Sequence, residues 1–220
     1  MKNTQSTSIT LAGILTLVLL ALSISIAVPI LWRGFYELHI DWYRIPERSG
    51  FTEPEILEAF HEMMDYCVLG RPFGTGSLVW SPEGYAHFRD CARLFHVDFA
   101  AIVMSLLAGC VLLVLRHYGL RPRRLCGRGV LFWSGLSLGG GFLLLTGLVA
   151  LDFQRAFTLF HVLLFPGQDN WLFDPTTDEI IRILPVEYFR NCGALIVAVL
   201  LSLSILMMLV DFLPVRRKTR

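Results

Sequence analysis

The chain has 220 residues, of which 55% are apolar and 17% charged, and its formal net charge is +1. A soluble domain carries about 25% charged residues, so this composition argues against an ordinary soluble globule, as does a mean hydropathy of +0.59. The near-neutral balance gives no basic footprint for nucleic acid, and the five cysteines form no C-x-x-C pair of the kind that holds zinc or does thioredoxin-like chemistry.

In chain order, the first feature is an uncharged apolar run over 9–32. It reaches the roughly 20 residues that span a bilayer. It exceeds the core of a cleaved signal peptide, about 7–15 residues, and Arg33-Gly34-Phe35 follows it in place of a small-residue cleavage site. A retained helix is expected. The segment 33–95 comes next. It begins aromatic and mixed and reaches a turn-like Pro46–Gly50. Thr52 is placed to cap a helix over Glu53–Tyr66, with Pro54 and two acids in the first turn. Residues 70–80 read as loop. Ser81 then caps a helix that starts at Pro82 and runs toward Phe95, continuing directly into a second span at 95–115. On this helix Tyr85, Phe88, Ala92 and Phe95 form an apolar stripe, while His87, Asp90, Cys91 and Leu94 share another face. His87 and Asp90, three residues apart, are neighbours there. A carboxylate so placed can orient an imidazole and favour its protonated form. The same pattern suits a solvated polar stripe at the lipid headgroups.

The connector 116–128 holds five arginines and no acid. A third span at 129–151 is uncharged. It contains Gly139-Gly140-Gly141, which permits close helix packing. The segment 152–190 opens with a mainly apolar helical stretch carrying His161, suited to lie in the interface or re-enter the bundle. His161 is either a functional ionisable group at headgroup depth or a structural histidine bonded to a carbonyl. Pro166, Gly167 and Pro175 make the following residues turn-rich, and Asp174 or Thr177 could cap a short helix over Asp178–Leu184 before Pro185. The fourth span is 191–210, and the tail 211–220 is basic. Arginines in 116–128, the basic tail and Lys2 place these parts in the cytoplasm by the positive-inside rule. Segments 33–95 and 152–190 then lie outside, and both termini lie inside. Trp32, Trp42, Trp80, Trp133 and Trp171 mostly fall near span boundaries, as interfacial aromatics do. The expected fold is all-α: a single polytopic membrane domain of four transmembrane helices. Cys67, Cys91 and Cys192 fall on or near the outer side, where disulfides can form.

His161, Phe165, Asn170-Trp171-Leu172-Phe173-Asp174-Pro175, Asp178, Ile180-Ile181, Leu184-Pro185 and Phe189, together with His87-x-x-Asp90 before the second span, resemble the lipoprotein intramolecular transacylase (Lit) family. The resemblance implies helical extracytoplasmic elements capping the four-helix bundle in a bacterial inner membrane. It implies an enzyme that moves the sn-2 acyl chain of a diacylglyceryl-cysteine lipoprotein to the α-amino group of that cysteine, giving the lyso-form. Diacylated lipoproteins and membrane lipids would be its partners, with no cofactor or metal. His161 is then expected as the base on the amine, His87 as the group that stabilises or protonates the oxygen, and Asp90 as its orienter. Trp171, Phe173, Asp174 and Asp178 are expected to shape the substrate site. Two rival readings are a metal-dependent membrane enzyme using His87, Asp90 and His161 as ligands and a transport or scaffold subunit. The nearly charge-free span centres speak against transport.

Overall fold

A computed structural model describes residues 4–213 of the chain, save the side chains of 145 and 148–150. Lys2 and the four basic residues of the tail lie outside the described residues. The described chain is mainly helical. Strand β1 (Thr4–Ser6) precedes α1 (Thr7–Leu31), α2 (Arg33–Trp42), α3 (Ile45–Ser49), α4 (Glu53–Leu69) and α5 (Pro82–His117). Strand β2 (Leu120–Pro122) leads to α6 (Val130–Leu151), α7 (Phe153–Leu164), α8 (Ile180–Ile183) and α9 (Val186–Phe212). Among the described residues α1, α5 and α9 are long and apolar enough to cross a membrane, and Val130–Leu144 of α6 is a shorter apolar stretch.

Contacts divide the chain into two compact units. One combines residues before Ala27 with Phe99–Leu148 and residues after Leu195; the other combines Ala27–Asp98 with Val149–Leu195. In the first unit β1 and β2 pair in parallel, Thr4 opposite Leu120. The Thr10 hydroxyl donates to the carbonyls of Ser6 and Arg123. Ala21, Leu138 and Leu200 form its buried centre. The close packing expected at the triple-glycine run falls on its first residue, Gly139, and on Gly135 one turn earlier. A Cβ on Gly135 would collide with the Ser204 carbonyl, and one on Gly139 would press on Ser204 Cβ at 3.2 Å, whereas Gly140 and Gly141 face open space.

The second unit has the larger core. Tyr36 stacks on Phe60 at 3.8 Å between centroids, and Ile40, Ile45, Ile56, Ile180 and Ile183 close around them. The Tyr36 hydroxyl donates to the Ile183 carbonyl at 2.7 Å, which satisfies a buried polar atom that would otherwise be costly. Helix α4 starts where the sequence places it. Glu55 accepts from the Thr52 N–H at 2.8 Å and from its hydroxyl at 2.6 Å, a carboxylate at the positive end of the helix. It ends at Gly70, whose φ of 68° is the left-handed conformation that closes helices without a Cβ penalty. Ser81 caps α5, accepting from the Gly84 N–H at 3.0 Å. Besides the paired strands β1 and β2 and the helical α3, two further elements differ from the sequence expectation. Residues 33–42 are helical, because Tyr36, His39 and Ile40 share a buried face. The short helix expected over 178–184 is confined to Ile180–Ile183, because the Asp174 carboxylate bonds within its own turn and that of Asp178 is taken by Ser81.

Candidate active site

The second unit brings His87 and His161 together. His87 sits on the second turn of α5 and His161 on the last turn of α7, and both are buried. Their rings are 5.9 Å apart between centroids and tilted by 29°. Residues 82–98 carry seven charged or histidine side chains, so the uncharged, membrane-length part of α5 begins after Asp98 and His87 precedes it.

Each ring is set by its surroundings. His161 Nδ1 donates to the Phe157 carbonyl one turn earlier at 2.8 Å. That bond puts the proton on Nδ1 and leaves the lone pair on Nε2. Trp171 stacks on the ring at 4.8 Å, and its indole N–H donates to the Gln168 carbonyl at 3.1 Å. Around His87, Phe165 and Phe173 present their edges at 5.0 and 5.4 Å, and Cys91 Sγ lies 3.4 Å from Nε2. Burial lowers the pKa of His161, against the pull of its carbonyl bond. Burial first and the His161 ring second lower that of His87 to about 4, against the opposing pulls of Asp90 and Asn170. At neutral pH the pair is therefore uncharged, ready to take a proton rather than give one.

Asp90 is close by but does not hydrogen-bond to His87. Its Oδ1 pairs with Arg93 at 2.9 Å, and its Oδ2 is buried without a hydrogen-bond partner. Position 90 is three residues from both His87 and Arg93, and the guanidinium, a permanent cation on a flexible arm, takes the carboxylate. Asp90 acts on His87 through its charge. Asp178 is buried and accepts from the Ser81 N–H at 2.8 Å and hydroxyl at 2.7 Å. It ties the second connector to the start of α5. Glu179 adds to this clamp, accepting from the Val79 N–H at 3.0 Å and donating its own N–H to the Val79 carbonyl. Asp174 is exposed and folds its own turn, accepting from the Thr176 N–H and hydroxyl. Those two bonds lower its pKa.

Sequence reasoning passed over one further buried histidine, His39. Its Nδ1 donates to the Phe35 carbonyl at 2.5 Å and its Nε2 accepts from Asn191 at 2.9 Å. With both nitrogens engaged it anchors α2 inside the core. Among the described residues no three His, Cys, Asp or Glu side chains gather as a metal-ligand set, and all five cysteines are free thiols.

The family model described as "Lipoprotein intramolecular transacylase Lit" matches residues 9–189. The chain belongs to the Lit family. It is accordingly a membrane-integral acyltransferase that modifies lipoproteins. Solved structures agree on the fold. The in meso structure of the membrane integral lipoprotein intramolecular transacylase Lit from Bacillus cereus superposes with a TM-score of 0.82 at 23% identity, over 92% of each chain. A variant of that Lit with a histidine replaced by arginine gives a TM-score of 0.77 at 22% identity, over 92% of this chain and 88% of its own. A histidine-to-alanine variant gives 0.73 at 24%, over 92% and 90%. No curated protein matches the chain.

Proposed function

We propose that this Lit-family chain transfers the sn-2 acyl chain of a diacylglyceryl-cysteine lipoprotein to the α-amino group of the same cysteine, using His161 and His87 as the proton-handling pair. The observation that carries the reading is the meeting of two buried imidazoles from separate connectors, 5.9 Å apart between ring centroids. Aminolysis of an ester needs a neutral amine that attacks the carbonyl carbon and loses one proton, and a glyceryl oxygen that leaves and gains one. His161 Nε2, with its lone pair free, takes the amine proton. That proton passes from His161 to His87, which in its charged form stabilises the developing oxyanion and then gives the same proton to the leaving oxygen. Asp90 lowers the cost of that charge. One N–C bond forms, one C–O bond breaks, and the proton count balances without a cofactor. Attack within one molecule spares most of the entropy of bringing amine and ester together.

The reading extends to membrane placement. Four spans with both termini in the cytoplasm of a bacterial inner membrane put segments 33–95 and 152–190 at the outer leaflet, where the lipoprotein's modified cysteine lies. Helix α7 suits an interfacial position. It buries His161 and leaves Leu159, Phe160, Val162, Leu163 and Leu164 exposed, a face fit to rest in acyl chains. Trp171 and Phe173, packed on the rings, would border the substrate, while Asp174 and Asp178 hold the connector that carries them.

Mass spectrometry of lipoprotein N-termini tests the activity in a host lacking other N-acylating enzymes. Expression should yield N-acyl, S-monoacylglyceryl cysteine, and a chelator should leave the yield unchanged. Unaltered diacylglyceryl termini would refute the reading, and chelator sensitivity would point to metal chemistry instead.

The pH profile is a second test. The substrate amine has a pKa near 8, so the rate should fall about tenfold per pH unit below that value. Protonation of the histidines adds a further, steeper fall. A base works while unprotonated, and burial lowers both rings, so this second break should lie below the ordinary histidine value of about 6.5. A break at or above 6.5 would mean that the working base is a solvated group elsewhere.

A further inference from the structure

We infer that Asn170 is a positioning residue that holds His87 in its Nδ1–H tautomer, with Gln168 turning the amide so that its oxygen faces the ring. The inference rests on the proton-handling role proposed for His87. His87 Nδ1 and Asn170 Oδ1 are both buried, and neither meets a well-aligned hydrogen-bond partner among the described residues. Buried polar atoms in folded proteins are nearly always satisfied, so each such atom calls for an account. These two are complementary, an imidazole N–H and an amide oxygen. The other side of the amide is already committed: Asn170 Nδ2 donates to Gln168 Oε1 at 2.9 Å. With Nδ2 on the Gln168 side, Oδ1 is the end of the amide left for the ring.

The neighbouring residues fix the backbone that presents it. Gln168 N–H donates to the Phe165 carbonyl, and the Gln168 carbonyl takes the Trp171 indole N–H. Asn170 directly precedes Trp171, which packs on His161, and stands three residues before Phe173, which packs on His87. The amide also raises the proton affinity of His87, as an acceptor facing an imidazolium does. Catalytic hydrogen bonds are often long or poorly aligned in a ligand-free site and tighten around substrate.

The consequence is chemical. With Nδ1–H held by Asn170, protons enter and leave His87 only at Nε2, where the weakly bonding Cys91 thiol stands at 3.4 Å. A main-chain carbonyl does the same for His161. Two unlike acceptors therefore set both rings in one tautomer, with both Nε2 atoms as the working nitrogens.

The test combines nitrogen-15 imidazole spectroscopy of the purified full chain with the pH–rate profile of lyso-form production. Loss of a hydrogen bond to a group that becomes charged should cost about ten- to hundredfold in rate. Asn170→Leu should show that loss in kcat with little change in KM. It should also release His87 into a mixture of tautomers. Asn170→Asp keeps an acceptor, so it should retain more activity than the leucine variant and move the lower pH break upward. A leucine variant with the wild-type tautomer, rate and pH profile would overturn the inference. Should that variant fail to fold, an unshifted lower break in Asn170→Asp would overturn it instead. Activity retained in both His87→Ala and His161→Ala strikes the proton-handling role on which this inference rests, whereas an inert Asn170 beside essential histidines strikes this inference alone.

Discussion

Replacing His161 or His87 by alanine is expected to lower lyso-form production by about 10²- to 10⁴-fold, the usual worth of a positioned proton transfer. Two rings that pass one proton act as a unit, so removing both should cost little more than removing one. The alanine variants leave gaps among Phe157, Phe165, Trp171 and Phe173, and a loss of activity could come from collapse of that packing. His161→Gln separates the two causes. Its amide can still donate to the Phe157 carbonyl and fills much of the ring's volume, yet it has no basicity near neutral pH. The glutamine variant should insert and unfold like the wild type and still be inactive. Full activity in both alanine variants, read from lipoprotein N-termini by mass spectrometry, would sink the histidine mechanism.

The legible part of this molecule is the part governed by local rules. The uncharged runs announce helices α1, α5, α6 and α9, and Thr52 and Ser81 announce where α4 and α5 begin, because a cap is a bond between residues a few positions apart. The first apolar run ends at Arg33, where hydropathy stops giving a signal. Helix α2 nevertheless follows at once, and its Tyr36–His39–Ile40 spacing was the available clue. The pairing of Thr4–Ser6 with Leu120–Pro122 left no trace, since three residues are too few to show alternation and their partner lies over a hundred positions away. At the site, residue pattern alone left each histidine two readings, and the resemblance to the Lit family singled out the pair. Their hydrogen-bond partners could not be named. Asp90 is equally spaced from His87 and Arg93, and only the folded geometry decides between them. The bond between Asp178 and Ser81 joins residues 97 positions apart, so spacing within the connector says nothing of it. Asn170 stands in the stretch that carries the family resemblance, yet its value as an acceptor depends on which way its amide is turned.

Gly84→Ala is expected to damage both stability and activity, and the reason lies in Asp178. A Cβ at position 84 would collide with Asp178 Oδ1, stand 2.8 Å from its Cγ and press on Phe173 at 3.2 Å. The carboxylate could swing aside only by giving up the Ser81 N–H and hydroxyl that it accepts from. Hydrogen bonds to charged groups are each worth about 1.5–3 kcal/mol, so losing both should destabilise the protein by roughly 3 kcal/mol or more. The displacement would also shift Phe173, whose edge rests on His87, so lyso-form production should fall along with stability. The effect should be strongly non-additive. In an Asp178→Ala background the bonds to Ser81 are already gone and only the lighter press on Phe173 remains, so Gly84→Ala should then cost much less. Thermal unfolding of the two single variants and the double variant measures this coupling directly. If Gly84→Ala costs as much without the carboxylate as with it, Asp178 is not what the glycine makes room for, and the tie between the second connector and α5 does not set the His87 site.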